Sequence, residues 1–495
     1  MSSKKNKLVS IKLNFVLNAL RVLSTALITL FTMPYLNRIL GAENVGKVEY
    51  VYTIINYFVL FSSIGIPMYG IREVSKARDD SKKLYTLVSE LLIILFATTI
   101  ISYALIFGIL IHLGFLSSYK SLIFIMSFLV ILNNIGAEWY FQGLENQKFI
   151  TIRNVVVRSL VFGLIFILVK TSSDYETYAI LFVIMLFGAN VINFIIIGKK
   201  IISNKIQIRS LNLKKHIKPI FAIFAATISV NIYLQLDNFL IGIISGDRYV
   251  AYYTIANKLI RFVISFITIV GAVMLPRLSY LFLNDRTKYN NLLRKSFDLM
   301  MLLAIPSSIY FFIFSQEIIM FMGGEEFIAA NLTMKILSPL CIIVSFAYFF
   351  GFLILYPQEK ERIYTVATIA SAFLSVLLNY FAITNFQQNG AAVVALLAEG
   401  LAILIMFYFI KKEYNFSEFF NYNFFKIILI NVIVMIITIF GKKMITFGGN
   451  NFEWISFSLF FAFSYFLILL ILKEKNTIEV LKQVKLKIGA IQNKE

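Results

Sequence analysis

Apolar segments of about 20 residues follow one another along almost the whole chain, and short polar stretches separate them. A helix needs about 20 apolar residues to cross a hydrocarbon core of about 30 Å. Hydrophobic residues make up 59% and charged residues 15% of the 495 residues, too apolar a balance for a soluble chain. The sequence therefore predicts an all-α polytopic membrane protein with about fourteen transmembrane helices. The predicted spans are 12–35, 47–70, 84–112, 121–141, 150–169, 178–198, 219–245, 249–281, 297–322, 328–356, 363–384, 390–410, 424–441 and 453–472.

The formal net charge of +20 is distributed unevenly between the predicted loops. With a cytoplasmic N-terminus, about 34 Lys and Arg residues fall inside, about 8 outside and about 4 within spans. This asymmetry follows the positive-inside rule and argues against a nucleic-acid partner. Fourteen spans return the C-terminus to the cytoplasm. The Lys-rich tail 473–495 is expected to lie along anionic lipid headgroups.

An internal repeat suggests how the spans are grouped. Residues 41–56 align without a gap on 242–257, and the pattern Tyr-Thr-Ile-x-Asn recurs at Tyr52 and Tyr253. Each copy joins the first two spans of a six-span set, so the repeat is predicted to be parallel, with a cavity between the two sets. The predicted domains are an N-terminal six-helix bundle (1–198), a basic cytoplasmic linker (199–218), a C-terminal six-helix bundle (219–410), two additional helices (411–472) and the Lys-rich cytoplasmic tail (473–495).

Three basic residues, Arg21, Lys258 and Arg261, lie inside predicted spans. A charged group facing lipid at mid-depth costs at least roughly 2.5–3.5 kcal/mol, so these side chains are expected to face a hydrated interior. Each shares a helical face with polar residues, because the spacing is three or four residues. The three polar faces are Asn14, Asn18, Arg21 and Thr25; Thr254, Lys258, Arg261 and Ser265; and Thr227, Asn231, Gln235 and Asn238, with Asp237 beside the last.

The chemistry of these bases predicts an anionic cargo. Arg21 and Arg261 lie at similar depths in their spans, and two guanidiniums approach one another only where an anion or water compensates them. A guanidinium fork matches two phosphate oxygens, so a diphosphate is the expected ligand.

A structural alternative remains open for every one of these bases. Each can instead form an ion pair with an acid inside the membrane. The acids available for this role are Glu90, Glu138, Asp237, Asp298 and Glu399. Glu399 lies in a small-residue segment, where it is either a structural partner or an ion-coupling carboxylate.

Other chemistry is not indicated. The single cysteine, Cys341, excludes an intramolecular disulfide, and the two histidines, His112 and His216, lie in unlike contexts, so no metal site is predicted. The chain has neither a phosphate-binding Gly-rich loop nor a His-Glu-x-x-His motif. We therefore expect a protein that is not an enzyme and that has no cofactor, apart from H⁺ or Na⁺ as a coupling ion.

Two motifs carry a resemblance to a known family. Residues 50–57 with 65–76 (Gly-Ile-Pro-Met-Tyr-Gly-Ile-Arg-Glu-Val-Ser-Lys), and residues 138–145 (Glu-Trp-Tyr-Phe-Gln-Gly-Leu-Glu), resemble the signatures of Wzx-type polysaccharide repeat-unit flippases. The resemblance runs over nearly the whole chain. It implies membership of the multidrug/oligosaccharidyl-lipid/polysaccharide exporter superfamily, with two six-helix bundles in a V around a central lumen and two further helices.

The implied function is alternating-access translocation of an undecaprenyl-diphosphate-linked oligosaccharide for O-antigen or capsule. Transport would run from the cytoplasmic to the outer leaflet of the bacterial inner membrane. The resemblance implies that Arg21, Lys258 and Arg261 bind the diphosphate, and that the partners are membrane lipids and a polysaccharide polymerase. The resemblance also predicts an inner gate at Arg72, Gln142 and Glu145. The alternative for Arg72 is a cytoplasmic anchor with Glu73 as its surface partner. Glu399 or Asp237 is predicted to bind a coupling ion. Two alternatives remain open: a flippase for the peptidoglycan precursor, and a multidrug or cation antiporter of the same superfamily.

Overall fold

The fold is helical throughout the part of the chain that the structure describes. This computed structural model describes the backbone of residues 11–204, 211–414, 416–444 and 451–479. Within these ranges, side chains are described except at 11–23, 25–26, 225–234, 416, 443–444 and 451–453. No strand occurs among the described residues. The prediction of an all-α fold is confirmed.

The chain divides into two compact units, Met1–Ala251 and Tyr252–Glu495. The helices of the first unit are α1 (Ile11–Ser63), α2 (Ile66–Ala77), α3 (Ser81–Gly108), α4 (Lys120–Gly136), α5 (Glu138–Gly143), α6 (Gln147–Leu168), α7 (Tyr175–Val183), α8 (Asn190–Ser203) and α9 (Lys214–Ile244). α10 (Asp247–Asn284) crosses the division, and the second unit continues with α11 (Arg286–Ile313), α12 (Ser315–Gly323), α13 (Ala330–Leu337), α14 (Leu340–Tyr348), α15 (Glu361–Ile410), α16 (Tyr422–Met444) and α17 (Asn451–Ile471).

The two longest helices, α1 and α15, are each long enough to contain two spans, and both are broken. α1 has 53 residues and α15 has 50, which at about 1.5 Å per residue exceeds a hydrocarbon core of about 30 Å. α1 leaves helical geometry at Gly41 (φ 73°, ψ 169°), and α15 does so at Gln387 (φ 48°, ψ −132°). Each break falls between two predicted spans, so each long helix contains two consecutive apolar segments.

The membrane character of the chain is clear from these helices. Among the described residues, ten helices are long and apolar enough to span a membrane. The number becomes eleven if the bent pair Ser172–Gly188 and Asn190–Ser203 is one span. The chain is a multi-pass membrane protein, while the number of fourteen spans stays a prediction.

The domain boundaries predicted from sequence also stay predictions. The predicted linker 199–218 is described only in part, because residues 205–210 lie outside the described ranges.

In the first unit α1 packs against α4, α6 and α9, and α2 packs against α3 and α5. In the second unit α11 packs against α14 and α16, and α16 packs against α17.

Local features recur at two places along the chain. A glycine with positive φ lies before the second span of each predicted set, Gly41 (φ 73°) and Gly246 (φ 99°). Asp80 caps α3 and Asp285 caps α11, each by accepting from the backbone N–H three residues later. These features pair Gly41 with Gly246, whereas the alignment through Tyr-Thr-Ile-x-Asn pairs it with Gly242. The register of the sequence repeat therefore stays a prediction.

Candidate functional site

The predicted basic face of α10 is present as a helical stripe. Thr254 is buried, Lys258 and Arg261 are half-buried, and Ser265 is exposed. The Arg261 Nε donates to Asn257 Oδ1 at 2.9 Å, one helical turn away. Within the described residues Arg261 has this neutral partner and no ion pair. Its side chain is therefore oriented by an amide, and its charge is available to an anion.

Several other predicted lumen residues lie outside the described side chains. These are Asn14, Asn18 and Arg21 of α1 and Asn231 of α9. Their backbones are helical, as expected, and their common face stays a prediction. Gln235, Asp237 and Asn238 of α9 and Glu399 of α15 are all half-buried, and their roles in transport also stay predictions.

The three residues predicted at an inner gate bind to neighbouring side chains. Arg72 Nε donates to Glu73 Oε1 at 2.8 Å, and Gln142 Nε2 donates to Glu138 Oε1 at 3.1 Å. Glu145 accepts from Arg78 Nη1 at 3.2 Å. Two of these are exposed contacts, whereas Glu138 also pairs with Arg153, whose side chain is only 2% exposed.

Parts of both motifs of the family resemblance pack together. Residues 66–76 of the first motif lie on α2 and residues 138–143 of the second form α5, while residues 50–57 lie on α1. α2 and α5 meet through glycines. A Cβ on Gly70 would lie 2.5 Å from the Trp139 ring, and one on Gly143 would lie 2.7 Å from Val74 Cγ1. The glycines are thus required because any side chain there would separate the helices.

Sequence reasoning missed a buried ionic cluster next to these helices. Glu90 of α3 is fully buried, and its Oε2 lies 2.8 Å from both Lys215 Nζ and His216 Nε2. Its Oε1 accepts from the Asn212 backbone N–H at 2.7 Å. His216 Nδ1 lies 2.7 Å from the Tyr69 hydroxyl. We call these five residues the Glu90 cluster; it attaches the start of α9 to α2 and α3.

A signal for this cluster was visible in the sequence. A Lys-Lys-His run at 214–216 opens α9, and an acid lies inside the apolar stretch of α3. Glu90 appeared among the acids that could neutralise a base in the membrane. The structure gives it Lys215 and His216 as partners.

The second unit contains a buried acid of another kind. Asp298 of α11 is 9% exposed, and its Oδ2 accepts from Asn423 Nδ2 at 2.8 Å. The same amide nitrogen lies 3.3 Å from Oε1 of Glu474, which is fully buried. The Asn476 side-chain amide also lies near Asp298 and donates to Glu474 at 3.2 Å. We call these four residues the Asp298 cluster.

Glu474 is held as an anion by its own chain segment. Burial, the largest single influence, would raise the pKa of this carboxyl, but the backbone N–H groups of Thr477 and Asn476, together with the side chains of Thr477 and Asn423, lower it by more. The donor distances are 2.7 Å for Thr477 N and 3.0 Å for Asn476 N. The net result is a pKa below the ordinary value, so Glu474 is ionised near neutral pH.

Within the described ranges, no group of three or more His, Cys, Asp or Glu side chains is arranged to hold a metal ion. The site chemistry that the described residues offer is a half-buried basic stripe on α10 and two buried carboxylate clusters, one in each unit.

Sequence comparison identifies the family. A family model described as "Polysaccharide biosynthesis protein" matches residues 11–282, and a "MatE" model matches residues 222–381. The first match spans more than half of the chain. The chain belongs to the polysaccharide biosynthesis protein family.

Relatives and solved structures agree with this assignment. An Escherichia coli K12 protein named "Putative O-antigen transporter" is 26% identical over 422 residues, covering 82% of this chain and 98% of that protein. A Haloferax volcanii protein named "Probable low-salt glycan biosynthesis flippase Agl15" is 24% identical over 231 residues, covering 46% and 48% of the two chains. The structure titled "Lipid II flippase MurJ, inward closed conformation" matches with a TM-score of 0.71 and 16% identity, covering 92% of this chain and 98% of that one. This last likeness concerns the fold, and the resemblance to Wzx-type flippases is confirmed.

Proposed function

We propose that this protein is a flippase for undecaprenyl-diphosphate-linked oligosaccharide repeat units. It moves them from the cytoplasmic to the outer leaflet of the bacterial inner membrane by alternating access. The observation that carries the proposal is the match to a protein named as an O-antigen transporter over 82% of this chain and 98% of that protein. The family match over residues 11–282 supports it independently.

The basic face of α10 supports an anionic head group as the cargo. Lys258 and Arg261 lie one turn apart on the same face, and Asn257 orients the Arg261 guanidinium. A diphosphate offers several oxygens to these two cations, and a guanidinium binds two oxygens at once. In the proposed mechanism Arg21 joins them at the diphosphate, while water remaining in the lumen keeps binding weak enough for release.

The remaining parts of the mechanism follow from the same proposal. Translocation forms no covalent bond, so the protein acts as a transporter and not as an enzyme. Both termini lie in the cytoplasm, and a polysaccharide polymerase removes the flipped units. An H⁺ or Na⁺ gradient supplies energy through Glu399 or Asp237, and Arg72, Gln142 and Glu145 form the inner gate.

Complementation of a flippase-deleted bacterium that carries the cognate glycan pathway tests this function. The native chain should restore surface glycan, and Arg261→Ala and Lys258→Ala should each lower it to about a tenth or less, because each removes a charge-assisted contact of about 1.5–3 kcal/mol. Arg277→Ala is the matched control, since Arg277 is an exposed base on the same helix. Membrane expression must be equal for all variants.

Two outcomes would replace the proposal. Rescue of a strain depleted of its lipid II flippase, without restored surface glycan, would favour the peptidoglycan precursor as cargo. Export of organic cations that survives loss of both bases would favour a multidrug antiporter.

A further inference from the structure

The Asp298 cluster contains two buried acids, and among the described residues no basic side chain forms an ion pair with either of them. Asp298 Oδ1 is buried and makes no hydrogen bond to any residue that the structure describes. The donors nearest to the carboxylate are the neutral amides of Asn423 and Asn476. An ionised carboxylate in such a place is costly, because burial removes its hydration and amides carry no compensating charge.

The charged and titratable groups on the helices packed around Asp298 bind elsewhere in the described part of the chain. On α11 itself, Arg294 binds Glu418 and Lys295 binds Glu479. On α16, Lys426 Nζ donates to the Lys473 carbonyl at 3.4 Å, and on α17 the Tyr465 hydroxyl donates to the Leu302 carbonyl at 2.7 Å.

The remaining neighbours are no better suited to neutralise Asp298. The thiol of Cys341 on α14 is buried. Lys475 in the C-terminal segment is exposed, and its charge favours the ionised form of Asp298, whereas the charge of Glu474 opposes it. None of these groups forms an ion pair with Asp298 or Glu474 in the described part of the chain.

A second anion, Glu474, shares the side-chain amide of Asn423 with Asp298. Glu474 receives four hydrogen bonds from its own segment, namely from the backbone and side chain of Asn476 and of Thr477. These bonds stabilise its ionised form. Because one amide nitrogen of Asn423 contacts both carboxylates, ionisation of both would place like charges close together in a poorly hydrated site.

We propose that Asp298 and Glu474 form a proton-binding site in which Asp298 takes up one proton on Oδ1 while Glu474 remains ionised. The proton comes from water, and a carboxylate becomes a neutral carboxylic acid. The bound proton stabilises the packing of residues 474–479 against α11 and α16. Loss of the proton leaves two anions around one amide and weakens that packing. This site is separate from Glu399 and Asp237 and does not depend on the proposed transport.

Infrared difference spectroscopy of the full chain in lipid nanodiscs, titrated between about pH 5 and about pH 8, tests the proposal, because an ordinary aspartate titrates near pH 3.9 and is mostly ionised above about pH 5. The carboxylic acid absorption of the native protein should contain a band from Asp298 in this range. Other buried acids such as Asp247 also absorb there, so the Asp298 band is read as the part of the absorption that Asp298→Asn loses. Asp285→Asn, the same change at the exposed cap of the same helix, should keep it. In Glu474→Gln the band should disappear at lower pH, because the neighbouring anion is gone.

Hydrogen exchange of residues 474–479 provides the second measurement. Relative to an unfolded peptide at the same pH, the native segment should lose protection as pH rises, and Asp298→Asn should stay protected throughout. A carboxylic acid absorption that is the same in Asp298→Asn and in the native chain overturns the proton site, and so does unchanged protection across the titration in the native chain. If sodium at constant pH controls the protection, the ligand is a metal cation and the proposal is wrong.

Discussion

Glu90 and Asp298 occupy comparable places in the two units, and their surroundings differ in one respect. Each is a buried acid on the helix that follows an aspartate cap, α3 in the first unit and α11 in the second. Glu90 contacts Lys215 and His216, whereas Asp298 contacts amides and lies near a second acid. The first arrangement suits a permanent structural connection, and the second suits a group whose charge changes. Similar helices can therefore serve stability in one unit and proton binding in the other.

The largest effect is expected from Glu90→Gln. Loss of the carboxylate leaves the buried His216 and the Asn212 N–H with weaker partners, which should cost about 2–4 kcal/mol. Lys215 is half exposed, so water compensates its charge and the cost stays below that of a fully buried pair. Thermal unfolding in nanodiscs should show a clearly lower Tm. Glu43→Gln is the control, since Glu43 makes only an exposed contact of 4.0 Å to Lys47; an equal loss there would contradict the structural role of Glu90.

Asp298→Asn should have the opposite sign or almost no effect on Tm. The asparagine retains an acceptor for Asn423 and cannot become a second anion beside Glu474, so the change should lie within about 1 kcal/mol of the native stability. The same unfolding assay checks it at neutral pH. Destabilisation as large as that of Glu90→Gln would show that both clusters have the same structural role.

The difference between the clusters could not be predicted from the sequence. The all-α membrane fold and the family followed from apolar spans and from two motifs. Glu90 and His216, however, are separated by 126 positions in the chain, and no local pattern indicates such a pair. Asp298 likewise meets Asn423, which is 125 positions away. Tertiary packing decides which acid receives a cation, and helical periodicity carries no information about it.

The breaks in the long helices show the same limit at the backbone. The sequence placed a connection near Gly41, where glycine tolerates φ of 73°. It also separated spans 363–384 and 390–410, but nothing indicated that Gln387 itself would take φ 48°. A non-glycine residue in this region is held there by its surroundings, so it can be found only in the folded chain.

Each unit also contains a pair of tyrosines in contact through their hydroxyl groups, and substitutions there should have effects of intermediate size on stability. Tyr85 and Tyr140 share a contact of 3.2 Å, with Lys200 Nζ 3.4 Å from Tyr140. Tyr289 and Tyr414 share a contact of the same length, but Tyr289 also donates to the Leu353 carbonyl at 3.1 Å.

We therefore expect Tyr289→Phe to cost about 1–2 kcal/mol, because it leaves a buried carbonyl without this donor, and Tyr85→Phe about 0.5–1 kcal/mol. Urea or thermal unfolding of both variants shows which of them loses more free energy of unfolding. A larger loss for Tyr85→Phe than for Tyr289→Phe would contradict this prediction. It would mean that the contact of Lys200 Nζ with Tyr140, 3.4 Å long, stabilises the Tyr85–Tyr140 pair more than expected.

The smallest effects are expected at the two caps, where the units should behave alike. Asp80 accepts from the Lys83 N–H at 3.1 Å, and Asp285 accepts from the Lys288 N–H at 3.0 Å. In both, the backbone N–H lowers the pKa of the carboxyl below its ordinary 3.8. Each cap therefore contributes its full stabilisation of the folded state at pH values above the ordinary pKa. This stabilisation is lost as the pH falls through the lowered pKa of the folded state.

Hydrogen exchange of the first turns of α3 and α11 measures this contribution. Asp80→Ala and Asp285→Ala should speed exchange at Lys83 and Lys288 near neutral pH, while the Asn variants should not, since asparagine caps a helix as well as aspartate. The two helices should respond to the same extent because both caps are exposed and have the same geometry. Faster exchange on α11 alone would mean that the Asp285 cap depends on the protonation of Asp298. The difference between the Glu90 cluster and the Asp298 cluster would then affect the helix as far as its first turn.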